Sequence, residues 1–280
     1  MSRPPSADHS NNASKVAAAP AVLESNLAND PRLRLLTLAH PRSGNALSPA
    51  LVASFTAAFD RALADPIVRT IILTGTGKYF CTGMKLDPSA SLPTGNGHGA
   101  PPSIFNLVRQ STKPTVALVN GPALGGGAGL ALACDVLIFA SPEKCWLAFP
   151  EVRRGLAPAL ISLVVVPALG AGLARRVLLT AERVYPAQLP HAIVVEEGGD
   201  PLANAASVAQ DLCLAGPEAI VRTKRVVDAV SRAVDRDADI KQQVGEVFTE
   251  MMASDEAAEG IAAFMQKRAP AWAAETRAKL

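Results

Sequence analysis

Three stretches of the chain carry residues whose types and spacing could do chemistry. The most informative is Asn120–Asp135, NGPALGGGAGLALACD, which follows an apolar β-branched run and opens a helical pattern. Three successive glycines, Gly125, Gly126 and Gly127, let the backbone turn tightly and come close to a ligand. The N–H groups at a helix start have no partner inside the helix and carry partial positive charge. Such a turn suits a phosphate or an oxyanion. There is no GxxxxGKS/T run, and no GxGxxG with an acidic residue about 20 positions further on, so nucleotide phosphate loops are excluded. What remains is an oxyanion site, or glycines that only permit close helix–sheet packing.

A second stretch, Lys78–Leu86 (KYFCTGMKL), leaves another strand and can present the N–H of Met84 from a different direction. Two N–H donors converging from separate loops are what a developing enolate oxygen needs. The third is Phe149-Pro150-Glu151, where Glu151 stands between LAFP and VRRGLAPALISLVVVP. Burial among these apolar neighbours would raise its pKa toward the range useful for proton transfer. The competing expectation is an exposed loop carboxylate paired with Arg153 or Arg154.

These loops need elements to hold them. Arg32–His40 alternates at its start and predicts a strand. Ser48 caps a helix with Pro49 in its first position, and Leu51, Phe55, Ala58, Phe59 and Leu63 recur at helical spacing until Asp65-Pro66. Ile67–Thr74, Thr115–Asn120 and Val136–Ala140 are β-branched strand candidates. Strands alternating with helical segments predict a mostly parallel sheet with crossover helices. The Pro-, Gly- and Ser-rich Pro88–Pro102 reads as a mobile loop. From Ala159 helical periodicity dominates, and after Pro201 it is the only pattern, in Leu202–Leu214, Pro217–Val230, Ile240–Met252 and Glu256–Gln266. The expected organisation is a disordered leader over 1–30, an α/β core over 31–200 and a helical C-terminal region over 201–280.

Composition narrows the classes further. The 280 residues hold 27 basic and 25 acidic side chains, so no net field draws the chain to nucleic acid or an anionic membrane. Aromatics are only 4% of residues, too few for stacking platforms on single-stranded nucleic acid. The 49% hydrophobic content supports a large core. The longest apolar stretch, around Leu156–Leu169, is interrupted by Pro158 and Pro167 and falls short of the ~20 residues of a membrane span. The four cysteines show no CxxC spacing and the four histidines no ligand pattern, so neither disulfides nor a metal site is expected. The first twenty residues lack a signal-peptide core. The last three, Ala278-Lys279-Leu280, approximate the Ser-Lys-Leu address, which predicts a peroxisomal import receptor as a partner.

Asn45-Ala46-Leu47, the FCTGM loop, NGPALGGGAGLALACD, FPEVRRGLAPA, LLTAERV and the late FMQKR, in this order, resemble the crotonase superfamily of enoyl-CoA hydratases and isomerases, over roughly Pro31 to Arg268. The resemblance implies a spiral of ββα units with a helical C-terminal region, assembled as a homotrimer or homohexamer. It implies an acyl-CoA substrate, with CoA as part of the substrate and no further cofactor. By position, the thioester oxygen would lie between the backbone N–H groups of Met84 and Gly126, with Gly125 beside them. Hydratases of the family usually carry two glutamates. One is retained as Glu151; the other position is Gly129, whose small size implies room beside a branched or bulky acyl chain. Lys85 stands where an aspartate is common, and Ala159 where diene isomerases need a carboxylate. Phe264 and Lys267 would contact CoA across a subunit interface, and Arg42 its nucleotide end.

The resemblance leaves three functions open. GLAPALIS and LLTAERV are similar to short branched-chain hydratases of the methylglutaconyl-CoA type, a kind that also serves fungal siderophore synthesis. A single retained glutamate is similar to the pattern of Δ3-Δ2-enoyl-CoA isomerases. For isomerisation one base suffices, whereas hydration is expected to need a further proton source. The missing carboxylate and Lys85 also fit a catalytically silent acyl-CoA-binding scaffold.

Overall fold

The β-branched runs build a six-stranded mixed sheet in a computed structural model that describes residues 21–85, 104–233, 246, 249–269 and 271. Its strands are β1 (Val22–Asn26), β2 (Leu33–Leu38), β3 (Thr70–Gly75), β4 (Thr115–Val119), β6 (Val136–Phe139) and β8 (Ile193–Val194), adjacent in that order. β1 runs antiparallel to β2, and every later pairing is parallel, with Leu35 beside Ile72, Ile72 beside Val116 and Ile138 beside Ile193. A second, two-stranded parallel sheet joins β5 (Ala123–Leu124) to β7 (Leu147–Ala148).

Strand alternation assigns side chains to two layers. Ile71 and Leu73 face a large cluster with Leu51, Phe55 and Phe59 of α1 (Pro49–Ala64), Leu130 of α3 (Gly126–Leu132) and Ile161 and Val165 of α4 (Ala159–Thr180). Ile72, Val116 and Ile138 face the other way, onto Ala205, Ala206 and Ala209 of α5 (Pro201–Leu214). A parallel sheet buried on both faces explains why its strands read as near-continuous apolar runs. α1 starts as its sequence signals require: Ser48 Oγ accepts the Leu51 N–H at 3.2 Å and Pro49 takes the first turn. The remaining helices are α2 (Ile104–Arg109), α6 (Pro217–Ala233) and α7 (Asp255–Met265).

Two expectations change. The leader cannot reach residue 30, because Val22–Asn26 is a strand paired with β2; residues 1–20 lie outside the described residues. The apolar run after Pro158 does not stop at Leu169. It continues to Thr180 as a 22-residue helical segment broken at Gly170, long and apolar enough by length and composition to cross a membrane. Pro167 and Gly170 (φ 71°) bend it, and Ala159, Ile161, Val164, Val165, Ala174 and Val177 bury against the core. Ile193–Val194 adds β8 to the sheet, within the segment 31–200. The Pro88–Pro102 loop and the Ala278-Lys279-Leu280 tail lie outside the described residues, as does much of the helix expected over Ile240–Met252.

Candidate active site

The small sheet does the positioning. β5 runs into Gly125 and Gly126, while β7 runs into Phe149-Pro150-Glu151. Because the two strands are parallel, their C-terminal exits lie side by side, and the Gly125 N–H donates to the Ala148 carbonyl at 2.8 Å. On the other side of β5, Cys81 bridges Ala123 in parallel, and the Leu124 N–H donates to the Cys81 carbonyl at 2.9 Å. One short strand thus brings the Lys78–Lys85 loop, the glycine turn and the Glu151 turn to one place.

Met84 is oriented by a further parallel bridge to Leu47. That bridge uses the Gly83 carbonyl, which accepts from the Leu47 N–H at 2.8 Å, and the Lys85 N–H, which donates to the Leu47 carbonyl at 3.3 Å. The N–H of Met84 alternates to the opposite side. There it faces the start of α3, 3.5 Å from where a Cβ on Gly126 would stand. Gly83 (φ 86°) allows this contact, since a side chain there would strike the Leu124 carbonyl. Among the described residues no hydrogen bond from the Met84 N–H is formed, and the Gly126 N–H, in the first turn of its helix, has no intrahelical acceptor. Two free N–H donors therefore converge from separate loops, as required for an oxyanion.

Glu151 sits in a 3-10 turn, Pro150–Arg154, that follows β7. Its Oε2 is buried and has no hydrogen-bond partner among the described residues. Burial pushes its carboxyl above the usual glutamate range, opposed by a backbone hydrogen bond within the residue and by the charge of Arg154. The alternative of an exposed, ion-paired carboxylate does not hold. Arg153 donates instead to the Thr180 carbonyl at 2.8 Å, and Arg154 lies 4.2 Å over the ring of Phe264. Burial lowers the Arg154 pKa, and the charge of Glu151 partly restores it.

Gly129 contradicts its expected role as open space. A Cβ there would stand 3.2 Å from Ile161 Cγ2 and 3.5 Å from Phe105 Cε1, so the position is walled in. Phe264 lies on α7, 43% exposed, with the Arg154 guanidinium 4.2 Å over its ring. Lys267 follows that helix, exposed and with a left-handed backbone (φ 54°). Lys85 and the Met84 side chain are exposed. Asp135, at the end of the glycine block, anchors it: Oδ2 accepts from the Thr115 N–H and hydroxyl and from Lys224 Nζ. Among the described residues no group of three or more His, Cys, Asp or Glu could hold a metal.

Sequence reasoning missed Asn45 as a structural centre. It is fully buried with φ 56°, and its Nδ2 donates to the carbonyls of Thr76, Tyr79 and Phe80 at 3.0, 2.9 and 3.2 Å. Its Oδ1 accepts from the His40 N–H. It therefore ties the β2–α1 connection to the loop that ends in Met84. It also missed Phe105 and Ile161, whose contacts depend on how α2 and α4 cross α3. A buried Asn just ahead of a helix cap was the one signal available for the first.

A parallel sheet that delivers two backbone N–H donors and a desolvated carboxylate defines an acyl-transfer or enolate-forming site of the crotonase fold. A sequence profile of the enoyl-CoA hydratase/isomerase family matches residues 31–275, so the chain belongs to that family and acts on acyl-CoA. It is 35% identical over 235 residues to the enoyl-CoA hydratase ACTT6 of Alternaria alternata, covering 82% of this chain and 77% of the relative. It is 29% identical to the 2,3-dehydroadipyl-CoA hydratase of Escherichia coli strain K12, over 85% of this chain and 94% of that one. Among solved structures, a carnitinyl-CoA dehydratase from Mycobacterium avium 104 superposes with a TM-score of 0.74 at 31% identity, covering 91% of this chain and 99% of the other.

Proposed function

We propose that this enzyme reversibly hydrates the C2–C3 double bond of a short, branched enoyl-CoA, with Glu151 as the carboxylate that moves the proton. The observation that carries this reading is the buried Glu151 carboxyl beside Gly125, facing the glycine turn where the Met84 and Gly126 N–H groups converge. In hydration, Glu151 takes a proton from water as the hydroxyl oxygen bonds to C3. The C2=C3 electron pair moves toward the thioester, and negative charge on its oxygen is held by the two N–H donors. Loss of one such donor typically costs about 3 kcal/mol of barrier. The protonated Glu151 then returns the proton to C2, and the thioester carbonyl re-forms. The proton taken from water is the proton delivered, so the balance closes on one carboxylate; the second proton source expected from the sequence is not required. Names of the similar proteins, hydratases and a dehydratase, support this direction.

A second reading, Δ3-Δ2-enoyl-CoA isomerisation, also needs only the Glu151 carboxyl buried beside the oxyanion donors. There Glu151 removes a proton from C2 and returns it to C4. Incubation in deuterated water with a 3-enoyl-CoA and, separately, a 3-hydroxyacyl-CoA separates the two. Hydration predicts dehydration of the hydroxy substrate, with deuterium appearing at C2 of the recovered 3-hydroxyacyl-CoA through the reverse addition; turnover of the 3-enoyl substrate alone establishes the isomerase instead.

Placement is part of the proposal. The Ala278-Lys279-Leu280 tail supports peroxisomal import, and a fluorescent fusion with and without these residues tests it.

A further inference from the structure

We propose that Phe105 and Ile161 are the specificity-determining side chains, forming an apolar stop that holds the acyl group to a few carbons. This inference rests on the site reading above and adds the residues that set its substrate range. Positions 126 and 129 share one face of α3, separated by three residues. The ring of Phe105 lies along that face, with Cζ 3.5 Å from a Cβ placed on Gly126 and Cε1 3.5 Å from one placed on Gly129. Ile161 closes the same face from the opposite element, its Cγ2 3.2 Å and its Cβ 3.4 Å from the Gly129 Cβ position. Both side chains are almost fully buried, Phe105 at 4% and Ile161 at 6% exposed.

The wall begins beside the oxyanion donors. Gly126 carries one donor N–H, and a Cβ there would meet Phe105; Gly129 is less than one helical turn away, a rise of about 4.5 Å, and a Cβ there would meet both side chains. An acyl chain whose thioester oxygen lies between the Met84 and Gly126 N–H groups meets this wall if it extends along α3. The two glycines are small, but the space they leave is already filled from α2 and α4. Removing part of either side chain opens depth in that direction, and only a longer acyl chain gains contacts from it.

The test uses the full chain as wild type and as Ile161→Ala, Phe105→Ala and Ile161→Val. The last removes one methyl and keeps the core filled should either truncation fail to fold. Saturated acyl-CoAs from butyryl to decanoyl are titrated against each protein, with CoA alone as the reference. Then kcat/KM is measured for 2-enoyl-CoAs of the same lengths. The expected result is a decenoyl-to-crotonyl ratio raised about tenfold or more in Ile161→Ala and Phe105→Ala, the lower end of what one methylene in an apolar pocket discriminates. Ile161→Val moves the ratio the same way by a smaller factor. Unchanged ratios in folded variants, with wild-type turnover intact, overturn the stop and leave the site standing. Wild-type affinity for acyl-CoA no greater than for CoA overturns the site, and the stop with it.

Discussion

Gly125 and Glu151 are fitted to each other: a Cβ on Gly125 would stand 2.6 Å from Glu151 Oε1. The glycine adopts φ 50° and ψ −122°, a region that L side chains avoid, just where β5 turns into α3. One residue thus sets both the direction of the Gly126 N–H and the room available to the carboxyl. Gly125→Ala is expected to lower kcat about a hundredfold, the usual scale for a group displaced by an ångström. Affinity for the CoA portion should survive. Steady-state kinetics with a CoA titration check this, and an unchanged kcat would show that the contact is incidental.

Asn45 acts on the other donor. Its amide holds three carbonyls of the loop that ends at Met84, and its own carbonyl accepts from Cys81 Sγ at 3.1 Å. Asn45→Ala strands buried carbonyls and places alanine at φ 56°. Each unsatisfied buried group costs about 1–3 kcal/mol. The expected loss is about 2–4 kcal/mol of stability, measured by chemical denaturation, with kcat falling more than KM rises. A stability loss under 1 kcal/mol would contradict this role.

Much of this arrangement was legible in the sequence, and the rest was not for definable reasons. The glycine block, the Met84 loop and Glu151 each carry local signals: glycines at a helix start, a turn after a strand, a lone acid among apolar residues. The sheet that joins them does not, because Ala123–Leu124 and Leu147–Ala148 are two residues each, too short for any periodicity. Val22–Asn26 carries no strand signal of its own, because only its pairing with β2 makes it a strand. Gly129 looked open because the sequence shows a missing side chain but not its neighbours. Ile161 fills that space from α4, and the crossing of α3 with α4 is a tertiary fact.

The C-terminal helix bears on the site through Gly260. A Cβ there would run into the Arg154 carbonyl, three residues from Glu151. α7 therefore packs backbone to backbone on the catalytic turn, with Phe264 over Arg154 on the same side. Gly260→Ala must push the helix away, a strain of about 1–3 kcal/mol. The expected outcome is a lowered melting temperature together with reduced kcat/KM, whereas Phe264→Ala should spare the melting temperature more. Wild-type stability and turnover in Gly260→Ala would exclude the contact.

Glu151→Gln separates the chemistry of the carboxyl from its cost. Turnover should fall by about two or more orders of magnitude, the usual contribution of a general acid–base group. Stability should move the other way, and only at some pH values. Burial raises the folded-state pKa of Glu151 above its unfolded value of about 4.3. Between those two values the native state binds more protons than the unfolded state, so this residue makes stability fall as pH rises. Above the folded-state pKa the penalty is constant, and below about 4.3 it is absent. Glutamine carries no such penalty. The melting temperature of Glu151→Gln relative to wild type should therefore be higher at pH 8 than at pH 4. An equal difference at both would mean that the carboxyl is solvated and that its proton is not held for catalysis.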